Sequence, residues 1–345
     1  MMIMKKVLAL ILSIFMLITL FAGCGKKESD ESNKDTSTIT EQQTREEQKE
    51  PVQQNSEETD KFPMTVKDAN GYEMTIEKKP ESIVSLTLGT DEVLLSLVDV
   101  SKIKALSAFS SERGLSNVVE VAEQVPLKLV GSETEKVISL QPDIVFVANW
   151  TDQNVVQQLR DANIQVYAYM TPTNIEQQKE MIRTVANIVG ESEKGEEIIN
   201  SMEEKLEFVK SKLASLKEED RLTAICCDSY FYAHGKNTTF DDIASRAGLV
   251  NLISEMGLEG WVEFSKEKIV ELDPDVIILP GWSFEGFDAE AFASDIKNDK
   301  SLANVKAVKN NRVFMMPDSH MGALSHYVVL GVEDVAKAVY PELFE

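Results

Sequence analysis

A twelve-residue pattern occurs twice in this chain, and it constrains the fold more than any other feature. Glu135-Lys136-Val137-Ile138-Ser139-Leu140-Gln141-Pro142-Asp143-Ile144-Val145-Phe146 aligns with Glu267-Lys268-Ile269-Val270-Glu271-Leu272-Asp273-Pro274-Asp275-Val276-Ile277-Ile278. The copies share Glu-Lys, Leu and Pro-Asp, with conservative exchanges between. Each predicts a short helix stopped by proline and then a strand apolar on both faces, the mark of a buried parallel strand. Pro-Asp before an aliphatic strand is common, so a chance match of two unrelated units is the competing reading. Agreement at so many positions favours two structurally related lobes, and 345 residues suffice for two ordinary domains.

The segments around the repeat support parallel α/β architecture. Met64–Lys67 and Glu73–Ile76, joined at Asn70-Gly71, predict a hairpin. Ile83 to Leu86 reads as a short buried strand and Thr90 to Val98 as a helix. Strand and helix patterns then alternate: strand 144–148, helix 152–162, strand 165–169. A helix over 174–189 ends at Gly190. Ser192 can cap the next one, whose apolar residues Ile198, Ile199, Met202, Leu206, Val209, Leu213 and Leu216 trace one face. A helix over 192–217 would be a rod of roughly 39 Å, suited to a strut between lobes. An exposed coiled coil is the alternative, but sustained heptads are lacking. Beyond it lie strand 222–227, helix 239–247, the second repeat strand, strand 312–316 and a terminal helix over 324–339. The expected organisation is a leader over 1–23, a tether over 24–61, a first α/β lobe over 62–173, a helical region over 174–218 and a second α/β lobe over 219–345.

The N-terminus sets the compartment. Lys5 and Lys6 precede an apolar run of about 15 residues, short of the ~20 that span a bilayer, so the segment reads as a secretory signal. Phe21-Ala22-Gly23-Cys24 resembles a bacterial lipobox, with Phe21 where an aliphatic is usual; lipidation of Cys24 would anchor the chain on the outer face of the membrane. Residues 25–61 are polar and charged, with Ile39 and Val52 the only large aliphatics, and predict a disordered tether.

Composition and motifs narrow the function. A formal net charge of −23 argues against nucleic acid as a partner. Phosphate-binding glycine loops, dinucleotide fingerprints, zinc-protease helices and nucleophile elbows are absent from the sequence, so an enzyme has little support. Three histidines and no acidic-histidine loop give weak support to a receptor for a bare ion such as zinc, the alternative function. Cys226 and Cys227 lie in one strand and point to opposite faces, which predicts two core thiols. Ligands in open α/β sheets sit beyond the C-terminal strand ends. Those ends gather Thr87 to Thr90, Trp150, Tyr169, Met170, Ser229 to His234 with Tyr230 and Tyr232, Trp282 and Asp318 to His320. An aromatic cleft suits a large, flat or semi-apolar ligand.

Several stretches in order resemble one family. They are Pro80-Glu81-Ser82-Ile83-Val84-Ser85-Leu86, the two repeat copies, Trp261 with Ser265-Lys266-Glu267, Asn311-Arg312-Val313-Phe314 and Tyr340-Pro341-Glu342. Over residues 62–345 the chain is similar to substrate-binding proteins of ABC importers for ferric siderophores, heme and cobalamin. The resemblance implies two Rossmann-like lobes bridged by one long helix, with ligand in the cleft between them. It adds Trp261 to the candidate wall; heme would ask for an axial ligand, which His320 or Met170 could supply, with an ordinary polar loop residue the competing reading of His320. It implies no resident cofactor and no protein-bound metal: the ligand itself would be the metal chelate, a ferric siderophore, heme or cobalamin. It also implies a monomer that docks on an ABC permease dimer with its ATPase, Glu135 and Glu267 each meeting arginines of one permease subunit.

Overall fold

Asn70-Gly71 turns the chain back on itself, and β1 (Met64–Lys67) and β2 (Glu73–Ile76) pair antiparallel from Met64 opposite Ile76 to Lys67 opposite Glu73. This hairpin opens the computed structural model, which describes residues 61–131 and 133–345. Cys24, the leader and the tether as far as residue 60 lie outside the described residues.

The first lobe is built on β3 (Ile83–Ser85), β4 (Ile103–Ser107), β5 (Lys128–Leu129), β6 (Ile144–Ala148) and β7 (Gln165–Tyr169), all parallel, in the order β5-β4-β3-β6-β7. The second adds β8 (Leu222–Cys226), β9 (Tyr232–His234), β10 (Leu249–Asn251), β11 (Trp261–Glu263), β12 (Val276–Pro280) and β13 (Val313–Met316). Of these, β10-β8-β12-β13 form a second parallel sheet, while β9 and β11 pair antiparallel beside it. Four strands of the first sheet correspond in order to the second, β4, β3, β6 and β7 matching β10, β8, β12 and β13, while the two-residue β5 has no counterpart.

The internal repeat accounts for that correspondence in atomic terms. Helices Thr134–Leu140 and Lys266–Leu272 are the same length. Both end on a non-glycine left-handed residue, Gln141 (φ 47°, ψ 55°) and Asp273 (φ 46°, ψ 56°), followed by the proline. The shared aspartate then ties each repeat strand to the centre of its sheet. Asp143 accepts from the backbone of Glu81 and Ser82 (2.8 and 2.9 Å) just before β3, and Asp275 accepts from Thr223 N and Oγ1 (3.0 and 2.7 Å) in β8.

Helices Ile175–Ile188 and Ser192–Lys212 pack side by side between the lobes. The second is shorter than the sequence spacing predicts, 21 residues and about 32 Å at 1.5 Å per residue. It gives way at Leu213 to a 3₁₀ turn, Leu213–Ser215. That tighter turn lays Leu213 and Leu216 against Gly248 of the second lobe, where a φ of +80° and the closeness of Leu216 Cδ2 leave no room for a β-carbon. One apolar core runs without a break from Ile83 and Phe146 through Ile182, Met202 and Val209 to Ala224 and Val332, while the other face of each sheet has a core of its own. Cys226 joins the shared core and Cys227 the separate one, so the adjacent thiols fall on opposite faces, both buried. A connector with a continuous core on both flanks is stiff.

Candidate ligand-binding cleft

The C-terminal ends of the two parallel sheets face each other. Trp282, just past β12, lies on Gly114 in the loop after β4. Asn117 of that loop donates from Nδ2 to the carbonyl of Ser319, which follows β13 (2.7 Å). The helix Leu88–Leu97 begins after β3. Its Glu92 accepts from Asn117 N and Nδ2 (2.8 and 2.9 Å) on one side and from Ser325 Oγ (2.5 Å) of the second lobe on the other. Gly89, in the first turn of that helix, sits so close to Leu324 that a β-carbon would lie 2.6 Å from its carbonyl oxygen. The segment 317–325 is thus pressed into the first lobe. This explains why the terminal helix starts at Val328, later than its apolar pattern predicts: Ser325 is engaged with Glu92 and accepts from Tyr327 N. This half of the cleft is closed.

Beneath it the first lobe is polar but tightly satisfied. Thr90 Oγ1 is 2.7 Å from both Ser85 Oγ and Thr87 Oγ1, and the Tyr169 hydroxyl donates to Thr87 Oγ1 (3.1 Å). Asp91 is fully buried and accepts from the backbone N–H and the hydroxyl of Ser107. Burial pushes the Asp91 carboxyl up to about 8 against the pull of those donors. Glu92 is raised by the same cause.

Other strand ends carry exposed apolar side chains. Four of the five first-lobe strands are followed within two residues by an exposed large apolar side chain: Val130 after β5, Phe109 after β4, Trp150 after β6 and Met170 after β7. From the second lobe Tyr230 and Trp261 stand out, 73% and 62% exposed, with Trp150 at 67%. Ligands of open α/β sheets sit beyond the C-terminal strand ends, which makes this surface the candidate binding region.

Tyr230 is presented by a strained turn. Asp228–Tyr232 repeats, bond for bond, the Asp68–Tyr72 turn of the β1–β2 hairpin. In each the aspartate Oδ1 accepts from the backbone two and four residues on, and its N–H donates to the carbonyl of the closing tyrosine. The left-handed position holds Gly71 (φ 83°) in one and Phe231 (φ 65°) in the other. A bulky aromatic there is costly and persists only where its surroundings fix it. Phe231 meets Phe292 edge-on at 5.8 Å, and the chain continues through Phe287 and Phe284 to Trp282. Asp318 accepts from the N–H groups of Gly281 and Trp282 (2.9 and 2.8 Å) and so fixes the ladder's cleft end.

The residues expected to bind ligand therefore divide. Trp150, Tyr230 and Trp261 face outward; Trp261 lies in β11, its ring edge-on to His234 at 6.1 Å. Tyr232, half-buried in β9, pairs with Glu263. Tyr169 is 2% exposed, a packing residue whose ring borders a cavity of about 330 Å³ shared with Tyr167, Met170 and Met181. Trp282 belongs to the closed half. His320 is half-buried, its Nδ1 2.6 Å from Asp334 Oδ2 of the terminal helix. Sequence reading missed Phe109 and Val130, because β4 and the two-residue β5 were not recognised as strands. It also missed the phenylalanine ladder, although Trp282, Phe284 and Phe287 around Gly286 carried a readable hairpin signal. Among the described residues no three His, Cys, Asp or Glu side chains converge as a metal-holding group.

Glu135 and Glu267 are exposed in the first turns of the two repeat helices. The Ser265 hydroxyl holds the Glu267 carboxyl below the usual range. No helix among the described residues is long and apolar enough to cross a membrane.

Two lobes on a helical connector, with a cleft between facing strand ends, define a solute-binding protein. Residues 83–320 match the periplasmic binding protein family model, and the chain belongs to that family. It is 23% identical over 99% of its length to all of YvrC, an uncharacterized ABC transporter substrate-binding lipoprotein of Bacillus subtilis (strain 168). It is 25% identical over 73% of its length, and 69% of the other chain, to a cobalamin-binding protein of Halobacterium salinarum. The fold matches that of the molybdate periplasmic binding protein MolA of Haemophilus influenzae, bound to molybdate, with a TM-score of 0.68, 21% identity and coverage of 81% of this chain and 92% of that one.

Proposed function

We propose that this protein is a lipid-anchored extracytoplasmic receptor that captures a metal chelate and delivers it to an ABC permease. The ligand class is an iron complex (a ferric siderophore or heme) or cobalamin. The observation that carries the reading is the exposed aromatic and apolar surface at the strand ends, with Trp150 and Met170 on one lobe and Tyr230 and Trp261 on the other. Flat rings on both walls supply contact area to a flat or semi-apolar complex without needing direct metal ligation. The names of the relatives, a substrate-binding lipoprotein and a cobalamin-binding protein, support it. Cys24 would carry the lipid. Glu135 and Glu267, exposed at equivalent points of two related lobes, would each meet an arginine of one subunit of a two-fold permease.

Titration with cyanocobalamin, hemin and a ferric trihydroxamate, followed by tryptophan emission, tests the ligand class. One of them should bind saturably at a ratio of one. Failure of all three, or stoichiometric colourless zinc in the purified protein, would overturn it. For delivery, the double variant Glu135→Lys, Glu267→Lys should lose uptake in cells while its affinity for ligand is unchanged; full transport would refute the docking role.

A further inference from the structure

Trp282 is held at its backbone and packed at its ring. Its backbone N–H and that of Gly281 are held by Asp318, and Gly281 packs so close to Met316 that a β-carbon would lie 2.6 Å from the Met316 carbonyl oxygen. Its ring rests on Phe284 (5.0 Å between centroids), which stacks on Phe287, and that ladder is rooted in Phe292 and Phe231. Gly114 also lies against the ring, so close that a β-carbon there would overlap Cδ1, Cγ and Nε1 of the indole. The loop that carries Gly114 also carries Asn117, which bonds Ser319 of the second lobe and Glu92 of the first.

We propose that Gly114 sets the aperture of the cleft: the absence of a side chain lets the first lobe close onto the fixed Trp282 ring, and this spacing determines which size of complex the open half accepts. The proposal deepens the chelate-receptor reading and rests on it for the ligand class, but the contact itself does not. A side chain at 114 has to move something. With the Trp282 backbone held by Asp318 and its ring packed on Phe284, the loop over 112–118 yields, and the lobes part along the closed half. The bulk of the residue at 114 then selects among ligands it never touches, because the gap between the aromatic walls widens with it.

The test uses full-length protein in a Trp150→Phe, Trp261→Phe background, in which Trp282 is the only tryptophan. Gly114→Ala should shift Trp282 emission to the red and raise its quenching by acrylamide at least twofold, without ligand. In the otherwise native chain, Gly114→Ala should weaken the tightest binder of the three chelates at least tenfold and change the ratio of affinities among them. Adding Trp282→Ala to Gly114→Ala removes the overlap and should restore the lobe spacing measured by solution scattering. Unchanged emission and quenching would overturn the clasp whatever the ligand. A shifted emission with unchanged affinity ratios would overturn the aperture role alone. If none of the three chelates binds wild-type protein, the ligand reading falls while the emission and scattering arms still decide the clasp.

Discussion

The two halves of the cleft use the same strand ends for opposite ends. On the closed side, hydrogen bonds donated by Asn117 and Ser325 to Glu92 and to the Ser319 carbonyl tie the lobes together, and Asp91 is buried beneath them. On the open side, Trp150, Met170, Tyr230 and Trp261 are left without cover. The first arrangement fixes one geometry, because buried polar groups must find their partners and lose much if they do not. The second tolerates water now and yields free energy only when something apolar arrives. A receptor needs both, one side to hold the lobes at a set spacing and one side with affinity in reserve. The shared core along helices Ile175–Ile188 and Ser192–Lys212 stiffens the arrangement further.

If the comparison holds, perturbing the closed half changes stability and perturbing the open half changes affinity. The largest effect is a pH dependence. Asp91 keeps its proton up to about pH 8 in the folded chain but loses it near the ordinary value of 3.8 when unfolded. Between those limits the folded state binds more protons, so stability falls as pH rises, with a slope approaching about 1.4 kcal/mol per pH unit. Glu92, also raised, adds with the same sign. Urea unfolding of Asp91→Asn from pH 4 to 8 should show a much flatter profile than wild type; parallel profiles would mean that Asp91 is ionised in the fold.

Next in size is Glu92→Ala, which orphans the donors of Asn117 and Ser325 in a buried place. It should cost about 3 kcal/mol in urea unfolding at pH 7. A loss below 1 kcal/mol would show that the interlobe bonds contribute little. On the open side, Trp261→Ala should weaken the bound chelate by about 2 kcal/mol in calorimetry. The smallest effect sharpens the contrast: Trp150→Ala should leave unfolding stability within about 0.5 kcal/mol of wild type, since the ring is two-thirds exposed.

The division between what could and could not be read in the sequence has a physical cause. Helix, proline, aspartate and strand of the repeat were legible because each step has a local reason: proline stops the helix, and the aspartate's bonds to Ser82 or Thr223 follow from its place at a strand entrance. The β1–β2 hairpin was legible through Asn70-Gly71. The same turn at Asp228–Tyr232 was invisible, because Phe231 occupies the left-handed position that glycine normally announces, held there by its backbone bonds to Asp228 and Phe264 and by packing on Phe292. The interlobe helix was read too long, since Leu213 and Leu216 keep helical spacing while packing through a 3₁₀ turn. Within the site, residue type located the exposed aromatics, but not the separation of Trp282 and Tyr169 from them. Trp282 is set apart by the pairing between lobes, which no local pattern carries, and Tyr169 by packing within its own lobe, where its hydroxyl bonds Thr87.

Hydrogen exchange on the free and ligand-loaded protein, with whichever of cyanocobalamin, hemin or ferric trihydroxamate binds, separates the two halves of the cleft. The account predicts new protection at 149–151, 170–173, 229–232 and 259–262, and unchanged, already slow exchange at 88–92, 115–119 and 319–326. Protection gained in the second set, with none in the first, would place the ligand in the half described here as closed and contradict the account.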